Sequence, residues 1–129
     1  MSGNISDLVE YRKSRALETI LEAKTMIDNK FWNAAINRIY YACYYMVCSL
    51  LIKYSLEVSS HKGVRLLFGL HFVQTGLISK QDGRFFSVLF DKRQTGDYDD
   101  FIIYSEEETK IIYHKAEEFL NKVKHLIEQ

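Results

Sequence analysis

Within the stretch Arg93-Gln-Thr-Gly-Asp-Tyr98, a permanently charged guanidinium stands close to groups that can handle protons. The fork of Arg93 suits a phosphate or a developing negative charge, and it would hold phosphate even without chemistry. Tyr98, a phenol with an ordinary pKa of about 10, can donate a hydrogen bond or act as an acid. It is a poor base at neutral pH, where a histidine would serve better. Asp97 or Asp99 could take a proton instead, although a carboxylate beside a phenol raises the phenol's pKa. The spacing therefore offers charge stabilisation first and proton transfer second.

Other chemistry is sparse. No G-x-x-x-x-G-K loop is present, because Gly63, Gly69 and Gly76 are scattered along a helical segment. No serine, histidine and carboxylate set points to a nucleophilic hydrolase. His114 and His125 fall off the apolar stripe of the last helix and are expected at the surface. His71 follows Leu67 and Phe68 at helical spacing and is expected to be partly buried, and His61 opens a helix, where it could contribute to a site formed with another subunit although nothing in its spacing demands it. Cys43 and Cys48 point about 140° apart on one helix, so they should not bridge. Without a Cys or His cluster at ligand spacing they suggest a reducing cytoplasm, no metal and no cofactor.

The 17 basic and 17 acidic side chains cancel, which disfavours nucleic-acid binding by overall charge. Their order is uneven. Lys62, Arg65, Lys80, Arg84, Lys92 and Arg93 face only Asp82 and Asp91 between residues 61 and 93. Residues 97 to 108 then carry Asp97, Asp99, Asp100, Glu106, Glu107 and Glu108 with no base. A solvated helix face followed by an acidic helix start accounts for the same pattern.

These residues must be positioned by helices. Proline is absent from the 129 residues, and 47% are hydrophobic, with nine tyrosines and eight phenylalanines. That composition predicts one domain, 1–129, with a core rich in rings. Residues 5 to 28 place Leu8, Tyr11, Ala16, Ile20, Ala23 and Ile27 on one stripe of an amphipathic helix. Residues 31 to 54 are apolar around most of the circumference and predict a central helix. Its polar strip, Asn33, Asn37, Arg38, Tyr41, Tyr45 and Ser49, could face another subunit or a ligand, or the tyrosines could bury their rings and send their hydroxyls to water.

A third helix is expected from about 61 to 74 after Ser59-Ser60, burying Val64, Leu67, Phe68 and Phe72, and ending at Gly76. A fourth spans about 80 to 93, with Ser79 and Asp82 in capping spacing and Phe85, Phe86, Leu89 and Phe90 inside. Gly96 is expected to break it. The last starts at Ser105 with Glu108 three residues on, a capping box, and buries Ile112, Ala116, Phe119, Leu120, Val123 and Ile127. Phe101 to Tyr104 could be briefly extended. The predicted fold is an all-α, up-and-down bundle of about five helices. The N-terminus, with Asp7 and Glu10, lacks a signal-peptide pattern. The longest uncharged apolar run, Ile39 to Ile52, has 14 residues, short of the ~20 that span a bilayer.

Three segments in order carry a resemblance: Ala35-Ile-Asn-Arg38-Ile-Tyr40-Tyr41-Ala42, then His61-Lys-Gly63, then Arg93-Gln-Thr-Gly-Asp97-Tyr98. Over about residues 5 to 125 the chain resembles the HEPN domain family (higher eukaryotes and prokaryotes nucleotide-binding), in particular its small stand-alone prokaryotic members. The resemblance implies a helical bundle that pairs as a homodimer, often beside a minimal nucleotidyltransferase. In many members it implies a metal-independent endoribonuclease toxin, whose arginine and nearby histidine meet those of the partner subunit in a cleft. Arg93 matches the arginine, and Tyr98 occupies the histidine position.

Three readings follow from that resemblance. One is a ribonuclease using Arg93 and Tyr98, with Asp97 as a further candidate. Another is a non-catalytic module that binds nucleotide, RNA or a nucleotidyltransferase through Arg93, Lys92 and the Asn37, Arg38 and Tyr41 strip. The third is an adaptor in which Arg93 is paired with Asp97 or Asp100. Tyr98 or Tyr104 could also accept a nucleotidyl group from the partner enzyme.

Overall fold

The computed structural model describes residues 2–98 and 102–129, with side chains described for 4–94 and 102–129. Five α-helices follow in order: α1 (Ser2–Asp28), α2 (Trp32–Lys53), α3 (His61–Phe68), α4 (Lys80–Tyr98) and α5 (Glu106–Ile127). A π-helical turn, Gly69–Val73, continues α3. No strand occurs among the described residues, and residues 102–104 are irregular rather than extended pairing partners. The all-α bundle expected from the sequence is the observed one.

α2 is the axis of the fold. Ile36, Ile39, Tyr40, Ala42, Met46, Val47, Leu50 and Leu51 are all buried on it. Each large apolar side chain so buried contributes roughly 1.5–3 kcal/mol, which is what holds a helix with so little polar surface in the centre. By length and composition Trp32–Lys53 could also cross a membrane, but 61% of its most apolar stretch is buried inside the bundle.

α1 lies antiparallel to α2. Ser49 Oγ donates to the Val9 carbonyl at 2.8 Å near one end, and Arg38 reaches Glu22 at 3.6 Å nearer the other. The buried stripe of α1 is Val9, Ala16, Ile20, Ala23 and Ile27. Leu8 and Tyr11, expected inside, are instead 44% and 58% exposed, because the stripe at this end runs through Val9.

Three serines start helices as their spacing predicts. Ser60 Oγ accepts from Gly63 N–H at 2.9 Å, Ser79 Oγ from Asp82 N–H at 3.1 Å, and Ser105 Oγ from Glu108 N–H at 3.0 Å. Gly63 is required at the α3 cap, since a β-carbon there would run into the Val58 side chain and lie 2.9 Å from Ser60 Oγ. The far end of α5 is closed by Lys53, whose ammonium donates to the carbonyls of Leu126, Ile127 and Gln129.

Stacked rings join α3, α4 and α5. Phe86 and Phe119 lie 5.7 Å apart and nearly parallel, and Phe68 meets both edge-on. Leu67 and Phe85 are only half-buried beside them. Two expectations fail here. Helix α4 does not break at Gly96 but continues to Tyr98, since one glycine costs a helix only ~1 kcal/mol. His71, on the π-helical turn, is exposed rather than partly buried, because the wider turn shifts the phase of residues after Phe68. His114 and His125 are exposed, as their positions on α5 predict.

Candidate functional site

Tyr40, Tyr41 and Tyr44 occupy successive positions on one side of α2, and α3 and α4 each bring one nitrogenous side chain to them. From α4, Arg93 Nη2 donates to the Tyr41 hydroxyl at 2.8 Å. The Arg93 guanidinium lies 5.3 Å from the centre of the Tyr41 ring and 5.6 Å from that of Tyr40. From the start of α3, His61 Nδ1 is 2.8 Å from the Tyr40 hydroxyl. The His61 ring stacks on Tyr44 at 4.1 Å and 11° and meets Tyr41 edge-on. Burial, and then the charge of Arg93, hold the His61 pKa below its ordinary value. Burial pushes the hydroxyls of Tyr40 and Tyr44 well above theirs, so both remain protonated.

A second guanidinium touches the same platform. Arg38 sits 5.3 Å from the Tyr41 ring centre and is itself oriented by Asn37, whose Oδ1 accepts from its Nη2 at 2.8 Å. Tyr45 extends the row one turn further, 5.9 Å from Tyr41, with Arg15 at 5.4 Å and Arg12 at 5.9 Å from its ring. Arginines and tyrosines thus alternate along this side of α1 and α2. Such a surface offers hydrogen bonds to phosphate and ring faces to bases.

The structure brings Arg93, Arg38, Asn37 and Tyr41 together and leaves Lys92 apart. Neighbouring positions on a helix point about 100° away from each other. Lys92 therefore turns toward α5, where it pairs with Glu108 at 3.0 Å in a groove of about 660 Å³ between α4 and α5. The side chains of Asp97 and Tyr98, and residues Asp99 and Asp100, lie outside the described residues.

Two members of the expected polar strip are structural. Asn33 donates to the Ile102 carbonyl at 2.8 Å and accepts from Tyr104 N–H at 2.9 Å, clamping residues 102–104 to α2. Ser49 is fully buried against α1. Tyr104, a possible nucleotidyl acceptor by sequence, is 6% exposed and donates its hydroxyl to the Lys92 carbonyl at 2.6 Å. His61, by contrast, joins the cluster although no local spacing links it to Arg93. Its one sequence signal is its place in the His61-Lys-Gly63 segment behind two serines. Among the described residues no group of three or more histidine, cysteine, aspartate or glutamate side chains could hold a metal.

Comparison with known proteins places this chain in a family. A family model for the HEPN domain matches residues 9–126. The chain belongs to the HEPN domain family. A "UPF0332 protein" of Thermotoga maritima is 40% identical over 121 residues, covering 94% of this chain and 92% of its own length. Two proteins of Methanocaldococcus jannaschii that bear the name "putative toxin" are also similar. One is 30% identical across 91% of this chain and 85% of its own length. The other is 33% identical across 88% and 84%. The HEPN match spans all five helices, and so includes Tyr40, Tyr41, His61 and Arg93 together.

Proposed function

We propose that this HEPN chain acts as a homodimer in a toxin–antitoxin-type pair with a minimal nucleotidyltransferase, and that its Arg93 cluster binds RNA or a nucleotide. The observation that carries the reading is the approach of two guanidinium groups, Arg93 and Arg38, to the single ring of Tyr41. One cation on a ring is common in folded proteins, and two from separate helices concentrate positive charge beside one half-buried ring. The toxin names of two relatives support the biological setting. Lys92, paired with Glu108, contributes general positive charge rather than a contact in the cluster. The reading implies a reducing, cytoplasmic setting and a single domain.

Fluorescence anisotropy with a short labelled RNA tests the binding, and light scattering of the same sample tests the dimer. Salt-dependent binding that weakens at least ~10-fold on Arg93→Ala is expected. Equal binding by wild type and variant overturns the reading.

A metal-independent endoribonuclease using Arg93 and Tyr98, with Asp97 assisting, is the second reading. It is favoured by the position of Arg93 against the buried ring of Tyr40, where a fixed cation stabilises a pentavalent phosphorus more strongly than it would in water. Cleavage of a mixed RNA pool in EDTA, abolished by Arg93→Ala, is its signature.

A further inference from the structure

We propose that His61 is the second half of the Arg93 site and serves it as a neutral hydrogen-bond donor, presenting Nε2–H to an oxygen of the phosphate that Arg93 holds. The inference rests on the reading of the Arg93 cluster as a phosphate-binding site. It adds a residue that neither the sequence spacing nor the arginine-to-tyrosine segment assigns.

Tyr40 fixes the tautomer of His61. Its side chain is fully buried, and among the described residues the partner of its hydroxyl is His61 Nδ1, at 2.8 Å. A hydroxyl carries one proton, and a buried O–H needs an acceptor. Tyr40 therefore donates and Nδ1 accepts. In a neutral imidazole one nitrogen accepts and the other carries the proton, so the proton of His61 is on Nε2.

Nε2 has no hydrogen bond within the described residues, yet it is not among the buried polar atoms that lack a partner. It reaches solvent. The ring cannot easily turn away, because it stacks on Tyr44 at 4.1 Å and meets Tyr41 edge-on at 5.8 Å. The Ser60 cap and the close fit of Gly63 fix the backbone from which it projects. Among the described residues, Tyr40, Tyr41 and Tyr44 from α2 and Arg93 from α4 are the titratable and charged groups facing it. Among the described residues no carboxylate lies against the ring to favour an imidazolium, and Arg93 disfavours one.

The consequence is a division of labour. Arg93 supplies charge and a fork, and His61 supplies a single directed N–H. In this tautomer His61 cannot take the 2′-hydroxyl proton of an RNA, since Nδ1 is occupied by Tyr40 and Nε2 is already protonated. Its histidine chemistry is recognition.

Two measurements on the full chain test this. Long-range ¹H–¹⁵N correlation of histidine-labelled protein near pH 7.5 reads the tautomer directly. Protonated Nε2 with unprotonated Nδ1 is expected, and protonated Nδ1 overturns the inference. Titration with AMP and with inorganic phosphate then compares wild type with two variants. His61→Phe, made together with Tyr40→Phe so that no hydroxyl is stranded, keeps the stacking but has no donor. It should bind ~10-fold or more weakly, the loss expected for a hydrogen bond to a charged group. His61→Gln, which retains an N–H, should stay within about threefold of wild type. Unchanged affinity in the double variant overturns the role of His61 and leaves Arg93 as the site. Failure of wild type to bind either probe overturns the phosphate-site reading and the role of His61 with it, while the tautomer remains separately measured.

Discussion

Arg93 and Tyr41, 52 positions apart in the chain, meet in a 2.8 Å hydrogen bond while the same guanidinium lies 5.3 Å from the tyrosine's ring centre. The phenol both accepts from the cation and faces it. Tyr41→Phe removes the acceptor and keeps the ring, so Arg93 remains nearby but loses its orientation. RNA binding by that variant should weaken by roughly 2- to 10-fold, the equivalent of one ordinary hydrogen bond. Arg93→Ala should cost more than Tyr41→Phe in the same anisotropy assay. The reverse order would place the binding determinant on the ring.

Lys92 and Arg93 are neighbours in sequence and serve different surfaces. Lys92→Ala should change RNA affinity by less than Arg93→Ala at the same salt concentration. Its loss breaks a partly exposed pair with Glu108, so urea unfolding should shift by no more than ~1 kcal/mol. An affinity loss equal to that of Arg93→Ala would show that the α4–α5 groove belongs to the binding surface.

Burial and Arg93 lower the pKa of His61 below its ordinary value of 6.5. A group whose folded pKa is lowered binds more protons unfolded than folded, so stability falls as pH drops below the unfolded value. Between about pH 6.5 and 4.5, before carboxylates protonate, unfolding free energy should decline, and it should be flat with respect to this group above 6.5. His61→Gln should lessen that decline. A slope unchanged by the substitution, measured by denaturant titration across this range, would remove His61 as its source.

Gly63→Ala should destabilise the fold by about 1–3 kcal/mol, since the added methyl meets the Val58 side chain and crowds the Ser60 cap. Thermal unfolding reads the loss. Because Gly63 sits two residues from His61, phosphate binding should weaken as well. A variant as stable as wild type would mean that Val58 moves aside without cost.

The helix starts were legible because capping is local. Ser60, Ser79 and Ser105 each bond to an amide three residues on, so short windows of sequence contain both partners. The centrality of α2 was legible because only a helix surrounded by neighbours can be apolar on so many sides. Gly96 misled because one unfavourable residue seldom outweighs a helix already propagating through its neighbours. Leu8 was expected inside and Val9 is found there instead, because adjacent apolar residues are separated only by the angle at which α2 is met. Asn33 and Ser49 read as a surface strip, and their true partners, Ile102, Tyr104 and Val9, lie on other segments.

What the sequence determined on its own was the set of helices, their caps, the ring-rich core and the family resemblance, all carried by periodicity and short-range spacing. It also singled out Arg93. The candidate site was decided by tertiary structure. Packing α3 and α4 against one side of α2 sets His61 on Tyr40 and Tyr44, sets Arg93 on Tyr41, and turns Lys92 away. Residues 32 positions apart become neighbours only when helices cross, and no period along one chain records where that crossing falls.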